Sequence, residues 1–398
     1  MKNYTLTICL FLISTIAFSQ YNVGFRYITV RDQSRFRNII TNIYYPAATT
    51  GTDVPVLDNG TKFPVVSFGH GFVMSSLAYQ WLAQSLAAAG YIVSFPATEE
   101  GTPNHAEFGK DELFVARILR NYGDTASSFL YQKTNGYTAV GGHSMGGGAS
   151  FLAMNGVTDI TTFFNFSAAE TFALYGIVAT EAAKNITRPG LVFTGSKDCV
   201  APPVGNSKTM YQNLKSEYKF FANIKDGSHC QFADPDKTPC ELGETLACFG
   251  TTYIQRIEQQ NNVLLLLKPW LDFWLKRNCA AITTFYTNAG ANLSKIDTLQ
   301  SKVINCSALD ITTGIRQNKV LKAELFPNPS SGLFTLNINE NYTNAVLSVF
   351  DISGKLVDSK TFKNNNSINL NYSNLAKGMY QLQFSTENGN YTSKIVIE

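Results

Sequence analysis

Charge is scarce in this chain. Only 15% of its 398 residues are Asp, Glu, Lys or Arg, and the formal net charge is +3. No strong field is available to draw in a polyanion, which excludes nucleic-acid binding. Long apolar runs are missing as well. The run over residues 6–16 falls well short of the roughly 20 residues that a membrane-spanning helix needs, and residues 263–274 are interrupted by Lys268, Pro269 and Asp272. There is no CxxC pair, and the four histidines do not group with cysteines at ligand spacing, so a structural metal site is not expected.

What is present points outward from the cytoplasm. Lys2, the apolar run over 6–16 and Ala17-Phe18-Ser19 fit a signal peptide over residues 1–19. Its removal takes Cys9 and leaves six cysteines, an even number that suggests disulfides in an exported chain. The hydrophobic content of 44% is ample for a large core, and the length favours two domains.

Between residues 64 and 274, short β-branched or aromatic runs alternate with longer amphipathic stretches, the pattern of an α/β fold with a mostly parallel sheet flanked by helices. Strands are expected at 64–68, 91–95, 137–141, 190–193 and 218–224. Helices are expected at 78–89, 111–121, 146–154, 204–214 and 262–276. Two antiparallel lead-in strands are expected at 27–30 and 38–45. Past Cys279 the helical pattern fades. A first domain is drawn at 20–307, a polar linker at 308–322, and a small all-β sandwich at 323–398, where strands at 335–338, 345–351, 367–370, 380–385 and 394–397 are separated by turn residues such as Ser353-Gly354 and Glu387-Asn388-Gly389-Asn390.

That tail carries Phe326-Pro327-Asn328-Pro329 with Gly332, Asp351-Ile352-Ser353-Gly354-Lys355, Leu375-Ala376-Lys377-Gly378-Met379-Tyr380 and Lys394-Ile395-Val396-Ile397. It resembles the type A C-terminal sorting domain of bacterial type IX secretion cargo. The resemblance implies export across an outer membrane by the type IX secretion machinery, with the tail removed or used for surface attachment.

The chemistry centres on Gly142-His143-Ser144-Met145-Gly146, placed where a strand should end and a helix begin. A nucleophile elbow needs small residues on both sides because the turn is tight, and Gly142, Gly146 and Gly148 supply them. A phosphate-cradling loop is ruled out because no Lys follows the glycines. A serine hydroxyl needs a base, usually His. In the α/β-hydrolase fold the order is nucleophile, acid, base. Of His70, His105, His143 and His229, only His229 follows Ser144. The acid is expected to be Asp198, directly after the apolar strand at 190–193; Asp226 is the alternative, better suited to a turn beside Gly227. The developing oxyanion needs two N–H donors, and the backbone of Met145 and of Phe72, in Phe68-Gly69-His70-Gly71-Phe72, is positioned to provide them. His70 is expected to shape its loop and His143 to buttress the elbow.

At these residues, with Trp81, Gly147-Gly148, Ala201-Pro202 and Gly227-Ser228-His229, residues 60–280 resemble the secreted dienelactone-hydrolase-like and cutinase-like esterases, which include polyester hydrolases. The resemblance implies a carboxylic ester hydrolase with Ser144, Asp198 and His229 as triad, Phe72 and Met145 as oxyanion donors, an acyl-enzyme, and neither metal nor cofactor. A monomer acting on a small or polymeric ester is expected. It also implies a Cys279–Cys306 bridge. One departure bears on substrate: the polyester hydrolases carry a Trp beside the cleft, whereas residues 165–172 here contain none and offer Phe172. Cys199 follows the acid and Cys230 the base, so a bridge between those loops could hold the triad, although with Cys240 and Cys248 three pairings are open. Asp234, Asp236, Glu241 and Glu244 read as a solvated surface loop, with a calcium site as the alternative. A noncatalytic binding protein on the same scaffold is opposed by the complete Ser, Asp, His set, and a peptidase by the lack of an inserted lid.

Overall fold

Two stretches rich in β-branched and aromatic residues open the fold, joined by a short turn. They pair as antiparallel β1 (Asn22–Asp32) and β2 (Arg37–Ala47), with Val30 opposite Ile39, and β3 (Gly51–Thr52) extends the edge. The computed structural model describes residues 21–101, 103–235, 240–311, 321–342, 345–352, 356–386 and 389–398. The signal segment 1–19 with its Cys9, most of the 308–322 linker, Asp236, Ser353-Gly354 and Glu387-Asn388 lie outside the described residues. Two compact units are present, Met1–Gly314 and Ile315–Glu398.

In the first unit, strands and helices alternate as the hydrophobic pattern demands. The order is β4 (Phe63–Gly69), α1 (Gln80–Ala88), β5 (Ile92–Pro96), α2 (His105–Asn121), β6 (Thr134–His143), α3 (Met145–Met154), β7 (Thr162–Phe166), α4 (Ala179–Ala182), β8 (Gly190–Gly195), α5 (Ser207–Asn213), β9 (Lys219–Ile224), α6 (Cys240–Ala247), α7 (Arg256–Lys276), α8 (Ala280–Ala291) and β10 (Ile296–Gln300). One sheet runs β10-β9-β8-β7-β6-β4-β5-β2-β1-β3. From β5 to β9 the neighbours are parallel, with antiparallel strands closing both edges. Such central strands are covered on both faces, and all seven residues of β4 are buried. Leu82 and Leu86 of α1 pack with Trp270 and Trp274 of α7 in one core, while Phe151 and Met154 of α3 pack with Met210 and Tyr211 of α5 in another. This is the mostly parallel, helix-flanked sheet of an α/β-hydrolase.

The expected elements appear with shifted ends, and β3, β7, α4, α6, α8 and β10 join them. β7 lies between the elbow helix and β8. Past Cys279, where the helical pattern fades, the chain forms α8 and then β10, so helix and sheet continue beyond the expected end of both. Thr-rich α8 is a poor helix former by itself, but Phe285 packs edge-on against Phe220 at 4.8 Å and beside Trp270 at 5.6 Å, so tertiary packing decides. β10 then pairs with β9, Ile296 opposite Ile224.

The cysteines pair as Cys279–Cys306, as the esterase resemblance implies, and as Cys230–Cys240. A bridge from the loop after Asp198 to that after His229 is thereby excluded: Cys230 is tied to α6 instead. Cys199 and Cys248 keep thiols that lie within hydrogen-bond reach of each other, and burial pushes Cys199 up to about 11.

The second unit is an all-β sandwich. One sheet has the order β11-β12-β15, from β11 (Ala323–Phe326), β12 (Leu333–Ile338) and β15 (Ser367–Asn371); the other has β14-β13-β16-β17, from β13 (Ala345–Phe350), β14 (Leu356–Phe362), β16 (Gly378–Thr386) and β17 (Gly389–Ile397). Alternation along the strands points Phe334, Leu336, Leu347, Val349, Leu382 and Phe384 into its core. All five expected strands are present, joined by β11 and β14.

Candidate active site

β6 ends at His143 and α3 begins at Met145, leaving Ser144 alone on the turn with φ 54° and ψ −118°. A non-glycine residue there is strained and needs its surroundings to hold it. Close approach does so. A Cβ on Gly142 would meet the carbonyl carbon of Gly146 at 2.3 Å, and one on Gly146 would meet the backbone of Gly69 at 2.4 Å. The Gly146 N–H donates to His70 O at 3.0 Å, which fastens the elbow to the loop after β4.

Loops at the same edge of the sheet bring in the other two side chains. Ser144 Oγ lies 2.8 Å from His229 Nε2, and His229 Nδ1 lies 2.8 Å from Asp198 Oδ2. All three residues are buried. The second oxygen of Asp198 accepts from the N–H groups of Val200 at 3.0 Å and Ala201 at 2.8 Å, which fixes the carboxylate's plane. Burial alone would depress the His229 pKa. The Asp198 carboxylate, aided by the charge of Glu244, outweighs it and raises the imidazole above its ordinary value. The alternative acid, Asp226, sits at φ 54° on a turn and pairs with Lys197 at 2.8 Å on the surface.

The N–H groups of Phe72 and Met145 make no hydrogen bond among the described residues; Met145 directly precedes Gly146 and Phe72 lies two residues after His70, the pair whose backbone bond ties the two segments together. Behind them runs a buried relay. The Gly71 N–H donates to Tyr79 Oη at 2.8 Å, Tyr79 Oη lies 2.9 Å from His143 Nδ1, and His143 Nε2 lies 3.1 Å from His229 O. A carbonyl can only accept, so His143 carries its proton on Nε2 and takes the tyrosine hydroxyl's proton at Nδ1. Burial, with His229 beside it, keeps His143 well below its ordinary value and therefore neutral. His143 thus joins the loop that carries Phe72 to the loop that carries His229, the expected base, a wider role than the expected buttress. His70 bridges Gly71 O and Thr98 O, both at 2.8 Å, and shapes its loop as expected.

Beneath Gly69 lies Glu112 of α2, fully buried and with neither carboxyl oxygen hydrogen-bonded among the described residues. Burial, reinforced by the Asp111 carboxylate, raises its pKa well above the ordinary 4.5. The folded protein then holds a proton that the unfolded chain has released, so this group's contribution to stability falls as pH rises above 4.5 toward the raised value. Glu112→Met removes that penalty at similar volume. It should raise unfolding free energy by about 1–3 kcal/mol at pH 8, and the gain should shrink below pH 4.5. Urea unfolding at both pH values checks this; unchanged or lower stability at pH 8 would count against it.

The acidic stretch does not behave as a solvated loop. Asp234 accepts from the Trp81 N–H, Glu241 pairs with Arg256, and Glu244 is buried against the base loop. Only the amphipathic spacing of residues 240–247 hinted at this, and a helix of eight residues is too short to be read with assurance. Phe172 is 56% exposed, stacks on His105 at 4.7 Å, and donates its N–H to His105 Nδ1 at 3.1 Å. Among the described residues no group of three or more His, Cys, Asp or Glu could hold a metal ion.

Residues 26–261 match the family model described as PET hydrolase-like, and residues 324–398 match that of the secretion system C-terminal sorting domain. No curated protein matches the chain. The sorting domain marks a protein that is secreted or held at the cell surface.

Proposed function

Since the chain belongs to the PET hydrolase-like family of ester hydrolases, we propose that it is an extracellular serine carboxylic ester hydrolase in which Ser144, His229 and Asp198 are the triad. The observation that carries this reading is the continuous Ser144–His229–Asp198 hydrogen-bond chain, 2.8 Å at each step, behind a strained serine. Asp198 accepts the Nδ1 proton, so Nε2 is free to take the serine's. Ser144 Oγ attacks the ester carbonyl as its proton passes to His229 Nε2, and the oxyanion forms against the N–H groups of Phe72 and Met145. Collapse breaks the ester C–O bond, and the leaving alkoxide takes the proton from Nε2 to depart as alcohol. Water, deprotonated by the same nitrogen, then cleaves the acyl-enzyme to release the acid and restore Ser144.

A polyester is the substrate class that the surroundings favour. Loops after the parallel strands β4, β7 and β8, at the sheet edge where Ser144 sits, expose Phe72 (50%), Leu77, Phe172, Leu174 (86%), Val200 and Val204 (75%), apolar surface suited to a hydrophobic, partly aromatic polymer. Polar cofactor-binding groups are not needed for this chemistry. The tail, as a type IX sorting domain, would deliver the enzyme to the outside of the cell, with residues 20–307 as catalytic domain and 308–322 as linker.

The test is turnover of p-nitrophenyl esters from acetate to palmitate, with a fluorophosphonate label mapped by peptide mass. Labelling of the Ser144 peptide is expected. Because only neutral His229 can accept a proton, kcat/KM should rise with pH through a midpoint above 6.5. Folded protein with neither turnover nor label would overturn the proposal.

A further inference from the structure

Local backbone bonds satisfy only part of the base loop, with the Ala233 N–H donating to Cys230 O at 3.1 Å, and side chains supply the rest. From Ser228 to Cys230 every N–H and C=O has a side-chain partner. Gln259 takes both groups of Ser228 at 2.9 Å each, His143 lies 3.1 Å from His229 O, and Arg256 donates to Cys230 O at 2.8 Å. Both remaining N–H groups go to one carboxylate. Glu244 Oε1 accepts from His229 N at 2.6 Å and Cys230 N at 3.1 Å, and Oε2 accepts from Ser228 Oγ at 3.2 Å. Glu244 is 7% exposed, whereas Leu242 and Leu246 on the same short helix are 59% and 74% exposed. Burying a carboxylate is costly unless its lone pairs are used, and all of the Glu244 carboxylate's bonds end on the loop that carries His229.

The helix that presents Glu244 is itself braced against the site. At its first residue, Cys240 is bridged to Cys230, and the neighbouring Glu241 pairs with Arg256 Nη2 at 2.5 Å. One turn beyond Glu244, the Cys248 thiol reaches that of Cys199, next to Asp198. Helix α6 and the residue that follows it therefore reach both the acid loop and the base loop.

We propose that Glu244 is the positioning residue of His229, a carboxylate that grips the base loop from behind and adds its charge to that of Asp198 around the imidazole. This rests on the reading of Ser144, His229 and Asp198 as triad. The charged and titratable groups that face His229 are Asp198 from the acid loop, Glu244 from α6, His143 at the end of β6 with its ring 4.8 Å away, and Arg256 at the start of α7. Asp198 and Glu244 are the two anions among them. Both stabilise the imidazolium that forms as Ser144 attacks, and Glu244 does so without touching the reacting atoms.

The test compares full-length Glu244→Gln, Glu244→Ala and wild type on p-nitrophenyl butyrate from pH 5 to 9. Gln keeps an oxygen for the two N–H groups but removes the charge. Its KM should stay within about twofold, while the acid limb of kcat/KM moves to lower pH by about half a unit or more. Ala removes the grip as well, and kcat should fall about 10- to 100-fold with little change in KM. A Gln variant whose acid limb coincides with that of wild type overturns the proposal, even if its Tm is lower, because a purely structural role would stop at stability. So does a folded Ala variant with kcat within twofold of wild type. If Ala does not fold, the Gln variant decides alone. Ser144→Ala run in parallel separates the two readings: retained turnover there removes the triad, whereas lost turnover with an unmoved Gln limb removes only the role of Glu244.

Discussion

Ser144→Ala should lower kcat on p-nitrophenyl butyrate by about 10⁶-fold, and Asp198→Asn by about 10⁴-fold. The difference follows from what each change leaves behind. Without the hydroxyl there is no nucleophile, and only the oxyanion donors and the binding surface act. With Asn at 198 the hydroxyl and the imidazole remain 2.8 Å apart, and an amide oxygen can still accept from Val200 and Ala201. The amide's NH₂ now faces His229 Nδ1, however, and favours the tautomer with its proton on Nε2, where it blocks transfer from the serine. Groups that act as one unit are not additive, so the double variant should be no slower than Ser144→Ala alone. Burst and steady-state kinetics on folded, circular-dichroism-matched proteins measure this. Ser144→Ala above 1% of wild-type kcat, or a fully additive double variant, would dismantle the unit.

The residues proposed for catalysis could be picked out in advance because they are ordered along the chain. Gly142 and Gly146 flank Ser144 between a strand and a helix, a local arrangement with few other uses. His229 followed from counting, since no other histidine lies beyond the serine, and Asp198 from its place after an apolar strand. The residues behind them were not legible. Tyr79, His143 and the base loop meet across 64 and 86 positions of sequence, and nothing near any one of them announces the others. Glu244 looked like one of several surface acids because its partners are backbone groups, which leave no pattern in composition. The cysteine pairing was hidden for a related reason. Cys230 is adjacent to the base in sequence, but its sulfur turns away from the acid loop toward α6. The fold follows the same division. Strands with continuous apolar runs, such as β4 and β8, were plain. α8 was missed because its Thr, Asn and Gly residues, poor helix formers, offset its alanines, and Phe285 gains its meaning only from Phe220 and Trp270. Two disulfides in the first unit and a sorting domain in the second agree on an oxidising, extracellular destination.

The second large effect is expected at Gly146. An added Cβ would sit 2.4 Å from the carbonyl carbon of Gly69 and 2.6 Å from His70 O, and both are backbone atoms that no rotamer change can move aside. The loop cannot easily retreat. Glu112 fills the space behind Gly69, the Gly146 N–H is bonded to His70 O, and the Gly71 N–H is bonded to Tyr79 Oη. Gly146→Ala must therefore either break the elbow or push the loop carrying Phe72 away from Ser144. A loss of about 3 kcal/mol or more in unfolding free energy is expected, the upper range for overpacking, with kcat reduced at least 100-fold through the displaced oxyanion donor. Gly290→Ala is the control. It lies in α8 with nothing within 4 Å of its added Cβ, so helix propensity alone predicts a gain of about 0.5–1 kcal/mol and unchanged turnover. Urea unfolding and butyrate turnover of both variants decide the matter. If Gly146→Ala folds as stably as Gly290→Ala and keeps wild-type kcat, then the contact between elbow and oxyanion loop does not set the geometry of catalysis.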